Sequence, residues 1–148
     1  SSPIQSELVN RRALATSAWA GPGLMGPLDS RDPDVFVLGA VHPSGVASQD
    51  VVDAATEIIG RFADDGADAD RIRSAQARFC ANLFAECDSV MARTRNLGLF
   101  ELLHGRADLL GELPAIVGSL DAADIAAAAA SLDPQRCAVL HVIPRNER

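Results

Sequence analysis

The chain has 148 residues, a length that suits one domain burying roughly 70% of its unfolded surface. Its formal charge is −7, and all 13 of its basic residues are arginine; with no cluster of positive charge, neither nucleic acid nor an anionic membrane is expected as a partner. No apolar run reaches the ~20 residues of a membrane span, and the start lacks the basic and apolar regions of a signal peptide. Cys80, Cys87 and Cys137 are odd in number and show no C-x-x-C spacing, so neither a disulfide framework nor a zinc knuckle is suggested. A reducing, cytoplasmic setting fits them, and the alanine- and arginine-rich usage without lysine or tyrosine is read as genomic bias, with a bacterial source expected. The acidic residues are spread along the chain and read as a solvated surface.

In chain order, Ser2 is placed to cap a first helix, with Pro3 at its first position and Gln5 at the N3 place of a capping box. Ile4 and Leu8 follow at helical spacing, and the run 13–19 leads directly into a first strand. Glycines and prolines make 21–28 a loop, continuing to Pro33. The prolines that interrupt it argue against a phosphate cradle. The apolar run 35–42, bounded by Pro33 and Pro43, predicts a largely buried second strand. Val51, Val52, Ala55, Ile58, Ile59 and Phe62 form one stripe of an amphipathic helix ending near Ala63.

Asp64-Asp65-Gly66 breaks that pattern, and Asp68 can cap the next helix. A stripe through Ile72, Ala75, Phe79, Leu83, Cys87, Val90 and Met91 predicts about six continuous turns ending at 93–96. Cys80 and Cys87 fall on one face of that helix, about 10 Å apart. Shorter helical pieces are expected over 97–103 and 106–117, interrupted by Gly105 and Pro114. A last helix spans 121–131, with Asp121 as N-cap and Asp124 favourably placed against the helix dipole. Residues 137–143, Cys-Ala-Val-Leu-His-Val-Ile, read as a third strand. The pattern is α+β, three strands and some five helices; so few strands leave a sheet edge with unpaired backbone groups. A partner segment, or a longer chain around this one, is therefore expected.

The stretch Leu8-Val9-Asn10-Arg11-Arg12-Ala13-Leu14-Ala15-Thr16 resembles a pattern of the second domain of zinc peptidases related to pitrilysin and the mitochondrial processing peptidase, Leu-Arg-x-x-x-Gly-Leu-Ala-Tyr. It keeps both leucines and the later alanine and departs at Val9, Ala13 and Thr16. The resemblance continues through 32–38 with Pro43-Ser44-Gly45, the helix opening at 66–72, the helix opening at 120–125 and the closing strand 137–144, in the same order and spacing over nearly the whole chain. It implies a LuxS/MPP-like metallohydrolase-type sandwich, helices packed on one mixed, mostly antiparallel sheet that is incomplete at its N-terminal side. The 148 residues would then be a single domain, the C-terminal part of a longer peptidase-like chain.

The same resemblance implies a metal bound through His-x-x-Glu-His, with a glutamate activating water. This chain has only His42, His104 and His141, well separated, so no metal site and no catalytic residue are assigned; zinc is expected in a missing first domain or a partner. His104 reads as a helix-end histidine; His42 and His141, near the ends of predicted strands, could be neighbours without a third ligand. The family's substrate-holding arginine and tyrosine fall at Val9 and Thr16, which lack the required donor and reach. Arg12, one turn from Val9, and Thr16 are the candidate substrate-contact residues. The implied function is a non-catalytic domain of a zinc metalloendopeptidase, shaping the substrate chamber and pairing the enzyme halves, with a homologous peptidase half or a homodimer mate as partner and peptide as substrate. The alternatives are a degenerate homologue acting as a scaffold or assembly subunit, and an unrelated α/β ligand-binding domain.

Overall fold

A computed structural model describes residues 2–23, 28, 30–31 and 33–143. The fold is α+β: helices accompany one small antiparallel sheet. Helix α1 (Pro3–Gln5) begins as expected, the Ser2 hydroxyl accepting from the Gln5 N–H at 3.2 Å. The reciprocal half of the capping box is absent, because the Gln5 amide oxygen instead accepts from the Ala18 N–H at 2.9 Å. The helix widens into a π-helical stretch, Ser6–Arg11, closed by the Arg12 N–H on the Glu7 carbonyl. It does not run directly into a strand. Residues 12–16 turn the chain, and Ala13 takes φ 51°, a left-handed conformation that crowds an L side chain.

Strands β1 (Ser17–Pro22) and β2 (Phe36–Val41) pair with Ser17 opposite Val41 and Pro22 opposite Phe36. The glycine–proline loop between them includes residues 24–27, 29 and 32, which lie outside the described residues. Helix α2 (Ser48–Asp65) buries Val51, Ala54, Ala55 and Ile58, while Val52 and Ile59 of the predicted stripe are half-buried. Its face, with Ile4, Leu8, Ala15 and Ala18, forms one core, against which Val9, Leu38, Ala40 and Phe62 pack. Helix α2 ends at Gly66, φ 68°, where a Cβ would meet the Ala122 carbonyl oxygen at 2.4 Å; only glycine fits this turn.

The long helix predicted from 68 to 93–96 is two helices, α3 (Ala69–Glu86) and α4 (Val90–His104). Asp68 caps α3 through the Arg71 N–H at 2.9 Å, and Ser89 restarts the chain by accepting from the Ala92 N–H at 3.1 Å. The apolar spacing continues across this break, which is why it misleads; Val90 and Met91 are exposed rather than part of the stripe. Gly105 ends α4 in the left-handed conformation, and α5 (Leu109–Gly118) carries Pro114 within it. A second core joins Leu83, Phe100, Leu110 and Leu113. The Gln76 amide on α3 donates to the carbonyls of Val117 and Leu120, both at 3.0 Å, tying down the end of α5.

Helix α6 (Ala122–Ala130) has the expected start, a capping box between Asp121 and Asp124. It packs on α2. The predicted third strand does not form: after a 3₁₀ turn, Pro134–Arg136, residues 137–143 are exposed and unpaired in the described structure. A strand needs a neighbour to take up its backbone groups, and no local pattern supplies one. No described single helix is long and apolar enough to cross a membrane; α5 and α6 together reach the length but are bent by 102°.

Candidate functional site

The substrate-contact candidates lie on either side of Ala13, in the turn joining the first helix to β1. Arg12 faces α2, where its guanidinium binds both carboxylate oxygens of Glu57, at 2.8 and 2.9 Å. It also lies 3.6 Å from Glu7, whose side chain is 15% exposed. Glu7 is also reached by Arg11 at 2.6 Å and by Arg61 at 3.5 Å, so three arginines surround one carboxylate. Thr16 closes the other side: its N–H and its hydroxyl both donate to the Val41 carbonyl, at 2.7 and 3.1 Å. Val9 is half-buried against the core. The two candidate residues are both engaged within the fold, one holding the first helix to α2 and the other continuing the sheet.

The electrostatics follow from this packing. Desolvation pushes the Glu7 carboxyl up, but the hydrogen bond and charge of Arg11, with the charges of Arg61 and Arg12, leave it below its usual value. The Arg12 hydrogen bond draws Glu57 down, outweighing desolvation, and the Glu57 bond in turn raises Arg12. A carboxylate held ionised in this way is a poorer proton acceptor near neutral pH than one pushed up toward 7. The cluster acts as an ionic clamp. Beside it a cleft of about 300 Å³ is lined by Glu7, Arg11, Arg61, Asp65, Asp68 and Arg71 among others, with both signs interspersed.

Arg12 and Thr16 were singled out through the resemblance, and Glu57, the partner of Arg12 in the fold, was not. The Glu7–Arg11 pair has the four-residue helical spacing, and so do Glu57 and Arg61 on α2; that spacing is the signal that could have marked both carboxylates.

The histidines are dispersed. His104 ends α4 as expected, its ring 5.3 Å from that of Phe100. His42 follows β2, with Nδ1 3.0 Å from the Pro43 carbonyl oxygen and Nε2 3.2 Å from the Ser48 hydroxyl. His141 lies in the exposed segment 137–143. Among the described residues no three metal-ligating side chains gather. Cys80 and Cys87 are half-buried and Cys137 is exposed, all free.

A second cavity, about 330 Å³, opens between α3, α4 and α5 and is lined by Leu83, Phe84, Cys87, Leu97 and Pro114 among others. The sheet also exposes apolar side chains. Alternate residues Ala18, Ala20, Leu38 and Ala40 face the core, which leaves Trp19, Val37 and Val41 on the outer face. Trp19 is 58% exposed and lies over Gly39, where a Cβ would come within 2.5 Å of the indole. Both faces of this antiparallel sheet therefore carry apolar side chains, where such sheets commonly present one polar face to water. No protein-family model matches the chain, and no curated protein matches it.

Proposed function

We propose that this chain is a non-catalytic assembly domain, the second domain of a pitrilysin-like two-half peptidase with the LuxS/MPP-like architecture, walling the substrate chamber and pairing the halves. The observation that carries the assembly role is surface. A compact monomer of 15.5 kDa exposes about 7200 Å²; this chain exposes 10410 Å². The surplus, about 3000 Å², exceeds the ~800 Å² that each partner gives to a standard interface and suits the larger obligate ones. It includes the outer sheet face and the segment 137–143, both apolar, where monomers rarely leave large patches bare.

The peptidase kinship is supported by the ordered resemblance and by one backbone angle. Ala13 stands where the family pattern has glycine, and it is the one non-glycine residue at positive φ among those described. A position that demands φ > 0 is the physical reason for a glycine there. In the full assembly zinc and the water-activating glutamate belong to a first domain or partner, and Arg12 and Thr16 line the chamber side.

The chain alone should hold no stoichiometric zinc after dialysis, by elemental analysis, and release no fluorescence from quenched peptides. Tight zinc with peptide hydrolysis would overturn the reading.

A further inference from the structure

The sheet has two edges, and they are treated differently. The Gly23 N–H donates to the Val35 carbonyl in the β1–β2 register, so odd-numbered residues of both strands bond across the pair and even-numbered ones turn their N–H and C=O outward. On β1 the outward groups are blocked in part: the Ala18 N–H is taken by Gln5 and Pro22 has no N–H to offer, which leaves the Ala20 N–H as the one outward donor on that strand without a bond among the described residues. On β2 the outward residues are Phe36, Leu38 and Ala40, and among the described residues nothing bonds to their outward groups. That is an open strand edge, a template for a further strand.

The same chain carries a segment suited to that template. Residues 139–143 are apolar and β-branched apart from Leu140 and His141, and they lie exposed outside any helix or strand; Leu140 and Val142 are each 86% exposed. β1, β2 and residues 137–143 contain no acidic or basic residue, histidine counted as neutral, in a chain that is 22% charged. Two copies of charge −7 can therefore meet along this seam without juxtaposing like charges. Donor and acceptor on one chain are self-complementary, and two donations related by a two-fold axis use both donors and pair both β2 edges.

We propose that residues 139–143 of one copy add as a strand to the outer edge of β2 in a second copy, reciprocally, so that two copies share two continuous three-stranded sheets. Main-chain bonds give the addition its strength, and alternate side chains extend the two apolar faces, one toward the core beside Leu38 and Ala40 and the other beside Trp19 and Val41. The inference rests on the assembly-domain reading and names its partner as a second copy. The surplus surface is ample for two such seams and the face contacts they bring.

The test uses the full 148-residue chain in light scattering coupled to size exclusion, at tens of micromolar, with circular dichroism to check folding. The wild-type chain should run as a dimer of about 31 kDa, twice its 15.5 kDa. A donor variant, Leu140→Pro with His141→Pro, removes N–H groups of both alternations. An acceptor variant, Leu38→Pro, removes an outward N–H without deleting a β1–β2 bond. Each variant alone should be monomeric. Mixed one to one, they should form a heterodimer through the one intact donor–acceptor seam, weaker than wild type by 10²-fold or more because the second, intramolecular donation is lost. A monomeric wild type, a dimeric donor variant, or a mixture that stays monomeric overturns strand exchange between copies. Those results leave pairing with a different half standing, whereas zinc-dependent hydrolysis by the chain alone removes the assembly-domain reading itself.

Discussion

Ala13→Gly should stabilise the chain, although glycine normally does the reverse. Ala13 is exposed, so its methyl contributes no core contact that the substitution would remove. Its φ of 51° costs an L residue roughly 1–2 kcal/mol relative to the ordinary regions. Glycine escapes that cost and loses about 0.4–1 kcal/mol through the greater freedom of its unfolded chain. The balance is a gain of about 0.5–1 kcal/mol, equivalent to a rise in Tm of about 1–4 °C for a chain of this size. Urea denaturation followed by circular dichroism reads it directly, at equal protein concentration so that association does not intrude. Ala13→Val is the control in the opposite direction, since a β-branched side chain is still more crowded at positive φ. The order Gly above Ala above Val is expected. If glycine instead destabilises by the 0.5–1 kcal/mol typical of an ordinary position, the turn is not left-handed there, and the main structural support for reading Ala13 as a replaced glycine is gone.

Three further outcomes follow from side-chain placement. Glu57 is drawn below its usual carboxyl value by Arg12, so its contribution is present above that value, near 4.3, and is lost as pH falls through the lowered one. Denaturation midpoints of the wild type should therefore drop more steeply between about pH 5 and 3 than those of Glu57→Gln, and parallel curves would mean that the Arg12 pair does not persist in solution. Phe100→Ala, at a ring 3% exposed, should cost about 3–5 kcal/mol, while Phe84→Ala, 65% exposed, should change little; comparable losses would show that the second core is rotated. Gly39→Ala places a Cβ 2.5 Å from the indole of Trp19 and should shift the emission of the single tryptophan to the red, an unshifted spectrum counting against the stacked position.

Much of the local architecture was legible because local chemistry decides it. Ser2, Asp68 and Asp121 cap the helices they were expected to cap, and Pro33 and Pro43 bracket β2 on either side. The misreadings arise where a local signal is ambiguous or absent. Val90 and Met91 keep the helical period, so the period concealed a break that Ser89, an adequate cap, enforces. Gln5 could reach back to the first turn or across to Ala18, and only tertiary placement chooses between them. Residues 137–143 have the composition of a strand, yet pairing belongs to whichever edge is available and is not encoded in the segment. The candidate site divides in the same way. Glu7–Arg11 is a helical spacing visible in the sequence, whereas the Arg12–Glu57 pair joins residues 45 apart and depends on the first helix crossing α2.

The distribution of charge connects these local readings to the assembly. A net −7 opposes association of like copies wherever charged faces would meet, and at physiological ionic strength that repulsion acts over about 8 Å. It disfavours most encounters between two copies while sparing the uncharged seam formed by the sheet and residues 137–143. The Glu7, Arg11, Arg12, Glu57 and Arg61 clamp pairs its charges internally and holds the first helix against α2, the same helix whose Gln5 accepts from the Ala18 N–H on the β1 edge. With the β1 edge blocked at Ala18 and Pro22 and the β2 edge open along its length, the proposed strand addition is favoured at β2. A sheet with both edges fully open offers two templates for propagation; blocking part of β1 biases the same chemistry toward the single β2 edge.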